Sequence, residues 1–195
     1  MHTILMTAIL ALVPTNMELA EDALEMSLEG IPAQLSAYGV EVVVVDISGE
    51  HAGNWFIEQT VMSVLHDNGF TVIDPGVDRV SGMTLRVRPM ELLVEYGDVS
   101  RPWIVGSKRV ERIAKCELMN TLLDEEGEIM MSIRTSGIQQ DVISWSDAEV
   151  LNGSSEWEWL SGELPENRGG GILEPIVVTG VVASLVYLFY SSRAE

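Results

Sequence analysis

Ile176 to Tyr190 (IVVTGVVASLVYLFY) carries no charge, so as a helix it is apolar on every side and cannot be the half-wet helix of a soluble domain. Counted from Ile172 it reaches about 19 residues, close to the ~20 that cross a ~30 Å hydrocarbon core at ~1.5 Å per residue. Pro175 fits the first helical turn, where its missing N–H is not needed, and Glu174 meets the positive end of the helix dipole. Tyr187 and Tyr190 fall at the opposite interface, and Ser191 to Glu195 form a short tail. A transmembrane helix over 172–190, anchored by Pro175, Tyr187 and Tyr190, is the expectation; a buried core helix is the alternative.

That anchor leaves room for one domain of ordinary size in a chain of 195 residues. A hydrophobic fraction of 47% suffices for a core, and a net charge of −19 argues against nucleic acid as a partner. Basic residues are unevenly placed, with none before Arg79 and eight between Arg79 and Lys115. Cys116 is the single cysteine, which rules out an intrachain disulfide and a cysteine-based metal cage.

Near the start, Ile4 to Val13 (ILMTAILALV) has the length of the apolar region of a signal peptide and is too short to span. Its flanks fit less well: only His2 and the α-amino group precede it, and Glu18 stands where a small residue is preferred. The reading is a signal peptide over 1–20, either cleaved, with the mature chain starting near Glu21, or retained; the alternative is a docking strand or helix that belongs to the fold. Glu18 to Glu29, with Leu24 and Leu28 at helical spacing, then reads as a surface helix or tether within an acidic segment 21–37.

The folded domain is expected from about Tyr38 to Leu151. Val40 to Ile47 is a β-branched run typical of a strand buried on both sides. Asn54 to Asp67 reads as a helix with Ile57, Val61, Val64 and Leu65 on one side, closed by Asn68-Gly69. Phe70 to Ile73 is the next strand, stopped by Asp74-Pro75-Gly76, so the three elements form a β-α-β unit with parallel strands. From Leu85 the period becomes two: Leu85 and Val87 alternate with Arg86 and Arg88, and Met90, Leu92, Val94 and Tyr96 with Glu91 and Glu95. Lys108 to Leu123 is a long strand with Val110, Ala114, Cys116, Leu118 and Leu122 on one face and Arg109, Glu111, Lys115 and Glu117 on the other. Asp124 to Gly127 is a hairpin loop, and Ile129, Met131 and Ile133 face inward on the returning strand. The fold class is therefore α/β: a small mixed sheet opened by a β-α-β unit and finished by antiparallel strands with one wet face, plus the C-terminal span.

The buried strand ending in Asp46, the helix, the phrase Asn68-Gly69-Phe70-Thr71-Val72-Ile73-Asp74-Pro75 and the hairpin around Asp124-Glu125-Glu126-Gly127-Glu128 resemble small α/β domains of bacterial envelope proteins. These are the TolB amino-terminal domain and its relatives in the curli-secretion lipoprotein CsgG and the penicillin-binding-protein activator LpoB. The resemblance covers about Tyr38 to Ser136. It implies a non-catalytic envelope domain that binds protein partners. The chain has no cysteine near its start and ends in an apolar run, so neither pore formation nor lipoprotein anchoring is carried over.

Candidate chemistry is sparse. His2, His51 and His66 show no metal-ligand spacing, and Cys116 lies on the apolar face of a strand, so no metal, cofactor or catalytic residue is expected. Gly169-Gly170-Gly171 lacks the Lys-Ser/Thr of a phosphate loop and suits a hinge. Asp46, Glu50 and Asp74 sit at strand ends, where β-α-β units bind ligands, and would serve a small-ligand-binding or hydrolytic alternative. Trp103, Trp145, Trp157 and Trp159 flank the predicted sheet rather than fill it. The last two lie in a Trp-bearing, Gly-rich linker over 152–171 and share one face if extended. These four are the candidate partner-binding residues.

A leader before the domain and a span behind it put the domain outside the cytoplasm and the tail inside. The functional expectation is a membrane-tethered, extracytoplasmic protein-interaction module, an accessory subunit of an envelope assembly, secretion or transport machine. Its expected partners are other envelope proteins and the membrane, with a homo-oligomer left open. A tail-anchored adaptor facing the cytosol is the remaining alternative.

Overall fold

Thr15 starts the first helix. Its hydroxyl accepts from the Glu18 N–H at 3.1 Å, and the Glu18 carboxylate accepts from the Thr15 N–H at 2.7 Å, a reciprocal capping box. The helix that follows, α1 (Asn16–Leu28), turns Leu19, Ala20, Ala23, Leu24 and Leu28 inward, each at most 2% exposed, and its acidic residues outward. The computed structural model describes residues 13–73, 82–101 and 107–165.

A short helix, α2 (Ile31–Ala37), leads into β1 (Val42–Ile47), followed by α3 (Asn54–Asp67) and β2 (Thr71–Ile73). Gly69, at φ +87°, closes α3 in the left-handed region that favours glycine. Three long strands come next: β3 (Met83–Ser100), β4 (Arg109–Leu123) and β5 (Ile129–Ser144), and then α4 (Trp145–Gly153) and a 3-10 turn at Glu158–Leu160. The sheet order is β2-β1-β3-β4-β5; β1 runs parallel to both β2 and β3, and the β3-β4-β5 meander is antiparallel.

The mixed α/β sheet opened by a β-α-β unit is thus as the sequence indicates. Among the described residues no helix is long and apolar enough to cross a membrane. The expected span, with Pro175, Tyr187 and Tyr190, lies outside the described residues, as do 1–12, Asp74 and Trp103.

Both α1 and α3 pack on one face of the sheet. Val43 and Val45 of β1, Leu85, Val87, Leu92 and Val94 of β3, and Ala114, Cys116, Leu118 and Leu122 of β4 point into that layer. Among the described residues no helix packs over the other, bare face. It carries cross-strand ion pairs: Asp46 with Arg86 at 2.7 Å, Glu95 with Lys115, and Glu117 with Arg134. Hence β1 is not buried on both sides among the described residues: Val42 and Val44 lie half-buried on the bare face, where no described helix packs.

Of the two alternatives for 21–37, helix or tether, the chain takes the helix, and the packed region reaches back before Tyr38: α1 and α2 supply Leu24, Leu28, Ile31 and Leu35 to the core. A chain starting at Glu21 would lack Asn16, Leu19 and Ala20, all buried in this fold. Gly137 of β5 explains the close seat of α1. A Cβ at that position would lie 1.9 Å from the Ala23 carbonyl oxygen, so only glycine lets the helix backbone approach the strand.

Candidate partner-binding site

Aromatic rings gather where α3 begins. Trp55 and Phe56 occupy its first turn, and the segment after α4 brings Trp157 and Trp159 against them. The contacts run in series: Trp157 to Trp55 with ring centroids 5.8 Å apart, Trp55 to Phe56 at 5.8 Å, Phe56 to Trp159 at 5.4 Å and Trp159 to His51 at 6.1 Å. These are the tilted and edge-on arrangements that aromatic quadrupoles favour. His51 is fixed in turn, its Nδ1 accepting from the Gly53 N–H at 2.9 Å.

The series divides into an inner and an outer half. Phe56 and Trp159 are 5% and 7% exposed and belong to the core, whereas Trp55 and Trp157 are 38% and 37% exposed. Trp157 and Trp159 do not share a face, as an extended segment would place them. The chain turns into a 3-10 helix at Glu158, which sends Trp159 inward and leaves Trp157 on the surface. The indole N–H of Trp159 is buried without a hydrogen-bond partner, so its place rests on packing alone.

Trp157 also forms a wall of a cavity of about 370 Å³. Asn16, Met17, Leu151 and Leu160 line it with Thr15, Ser155 and Glu156. The cavity has a rigid base, since Asn16 is tied down from three sides. Its side-chain N–H group donates to the Leu160 carbonyl at 2.7 Å and to the Tyr96 hydroxyl at 3.1 Å, and its carbonyl accepts from Arg112 Nη1 at 2.7 Å. Burial raises the Tyr96 hydroxyl above its ordinary pKa, with the Asn16 hydrogen bond opposing the shift.

The remaining sequence candidates are scattered. Trp145 caps the far end of the sheet, its Nε1 donating to Glu149 at 2.7 Å with the Lys108 ammonium 5.7 Å from the ring centroid. Asp46 is held by Arg86 on the bare sheet face, and Glu50 lies exposed beyond β1. Among the described residues no group of His, Cys, Asp and Glu could hold a metal ion. Cys116 is buried beside Ser27, with Sγ and Oγ 3.6 Å apart, and burial pushes its thiol up to about 11.

Sequence reasoning missed Trp55, Arg112 and Asn16. Arg112 and Asn120 fall on the even positions of β4, in the row of Val110, Ala114 and Cys116, so the alternation itself placed an arginine and an asparagine inside.

No protein-family model matches the chain, and a search of curated proteins finds no match. Among solved structures the chain is similar to a neuraminyllactose-binding hemagglutinin homolog from Helicobacter pylori, at 13% identity and a TM-score of 0.35. That match covers 53% of this chain and 66% of the other. It is also similar to a minor lipoprotein from Acinetobacter baumannii, at 11% identity and a TM-score of 0.36, over 79% of this chain and 93% of that one. Neither is described as a TolB, CsgG or LpoB protein, and at these TM-scores neither likeness bears on function.

Proposed function

We propose that the chain is a non-catalytic protein-interaction module of the cell envelope, and that Trp55, Trp157 and the adjoining cavity form its partner contact. The observation that carries this reading is the pair of half-exposed indoles 5.8 Å apart, backed by buried Phe56 and Trp159. Large aromatic side chains held rigidly at a surface lose little entropy on binding and are the residue types over-represented among binding hot spots. The surrounding Glu156 and Glu158 are exposed, and the chain as a whole is strongly acidic. The partner that fits presents an apolar side chain flanked by Lys or Arg. Tethering through 172–190 and export past the inner membrane belong to the same proposal and rest on the sequence. The hydrolytic alternative finds less support, because the Asp46 carboxylate is engaged by Arg86.

The test replaces Trp55 and Trp157 together with serine in the full chain and compares the proteins recovered with it in mild detergent. Loss of one hot spot of about 1.4 kcal/mol lowers affinity tenfold. The reading expects partner recovery to fall at least that far while the melting temperature holds. Unchanged recovery would overturn it.

A further inference from the structure

We infer that β5 is the seam of a two-fold dimer, in which a second copy of this chain adds its own β5 antiparallel to the first and joins the sheets into one. The inference is independent of the aromatic site.

Among the described residues the strand β5, Ile129–Ser144, is an edge of the sheet, and the opposite edge is β2, Thr71–Ile73. Long edges leave a row of backbone donors and acceptors unpaired, and monomeric proteins blunt them with lysine, proline or bulges. Between Ile129 and Ser144 there is no lysine and no proline, and the register with β4 runs without a shift from Leu122–Met131 to Arg109–Ser144. The strand has two charged residues, Arg134 and Asp141, and β4 neutralises both through Glu117 and Arg112. A chain of net charge −19 repels its own copies on balance, whereas this edge presents no net charge.

The exposed side chains then select a register. On the bare face of β5, Ile138 and Val142 are 55% and 56% exposed. An antiparallel pair centred on Gln140 sets Ile138 of each copy opposite Val142 of the other, since positions adding to a constant face one another. On the helical face the same register sets Gln139 opposite Asp141, a hydrogen-bonding pair without like charges. Residues 136–144 of each copy overlap, a seam about 30 Å long at ~3.4 Å per residue. The contact is self-complementary, so the assembly closes at two copies.

In that register Gln140 faces its own copy with Cα atoms about 4.5–5.5 Å apart, within reach of a disulfide. The full chain in mild detergent carrying Gln140→Cys is expected to become a covalent dimer on mild oxidation, while Ser132→Cys remains a monomer. The double variant Ile138→Lys/Val142→Lys, whose exposed side chains leave the core untouched, is expected to shift the mass by light scattering from dimer to monomer while its circular dichroism spectrum remains that of the folded chain. A monomeric wild-type chain at tens of micromolar, cross-linking at 132 but not 140, or a dimer that survives both lysines overturns the inference. So does recovery of β5 paired with a different protein.

Discussion

The guanidinium of Arg112 meets the carboxylate of Asp141 in two hydrogen bonds, Nε to Oδ1 at 3.0 Å and Nη2 to Oδ2 at 2.6 Å, with the arginine side chain wholly buried. The remaining donors reach Asn16 at 2.7 Å and the Pro14 carbonyl at 2.9 Å. One cation on β4 thus joins the start of the chain to the edge strand. Removing one partner of such a pair strands the other. Asp141→Ala is expected to cost about 3 kcal/mol, and Arg112→Ala up to about 5. Because the Asp141 side chain is 24% exposed, water moderates the first value. Replacing both, as Arg112→Met with Asp141→Leu, recovers part of the loss. Urea unfolding midpoints of the four proteins check this cycle.

Helix α1 belongs to the domain, and shortened chains test it. A start at Val13 keeps the capping box, Asn16 and the buried Leu19 and Ala20. A start at Glu21 removes all of them: a cap worth about 1 kcal/mol, a leucine worth roughly 1.5–3 kcal/mol and the asparagine network. Against a usual total of about 5–15 kcal/mol, the shorter chain is expected to lose cooperative unfolding or melt far lower. Calorimetry on both forms decides.

Acid and base act on the fold through different groups. The hydrogen bonds from Thr15 hold Glu18 below the usual carboxylate range. A depressed folded value means that its contribution is present above the unfolded pKa and lost as pH falls through the folded one, so α1 should loosen first at acid pH. Cys116 works the other way. Burial raises its thiol to about 11, so above the ordinary thiol value the unfolded chain releases a proton that the folded chain keeps. Stability is expected to fall by up to about 1.4 kcal/mol per pH unit in that window. Cys116→Ala should lack this component, and the native thiol should resist thiol reagents at pH 8 until the protein unfolds.

Trp157 and Trp159 lie two residues apart and should behave differently. Trp159→Ala opens a cavity in the core and is expected to cost about 3–5 kcal/mol, whereas Trp159→Phe removes a buried N–H that has no partner and should cost far less. Trp157→Ala should change stability by no more than about 0.5–1 kcal/mol, because its ring is open to solvent on one side. Thermal melts of the three variants make the comparison.

Much of the fold was legible because its signals are periodic. The apolar spacing over Asn54–Asp67 predicts a helix with the bounds the structure gives, and the alternation around Leu85 and Leu118 separates the wet face from the dry one. What was missed follows from reading residue types in isolation. Glu18 counted against a signal-peptide cleavage site, yet Thr15-Asn16-Met17-Glu18 is itself a capping-box pattern that announces a helix start. Arg112 broke the apolar row of β4, and its partners lie 96 and 29 residues away at Asn16 and Asp141, distances at which no local pattern operates. The neighbourhood of Trp55 and Trp157 is likewise tertiary: a turn after α4 had to return the chain to the start of α3.

The central claim is that the Trp55–Trp157 surface contacts a protein partner. The most direct measurement places a photo-crosslinking amino acid at position 157 of the full chain in cells, with a second probe at Ser132 on the bare sheet face for comparison. The account predicts a discrete cross-linked species from position 157 that contains another envelope protein, and its loss when Trp55 is replaced by serine. Equal labelling from both positions, or none from 157 in a folded, correctly localised chain, would contradict it.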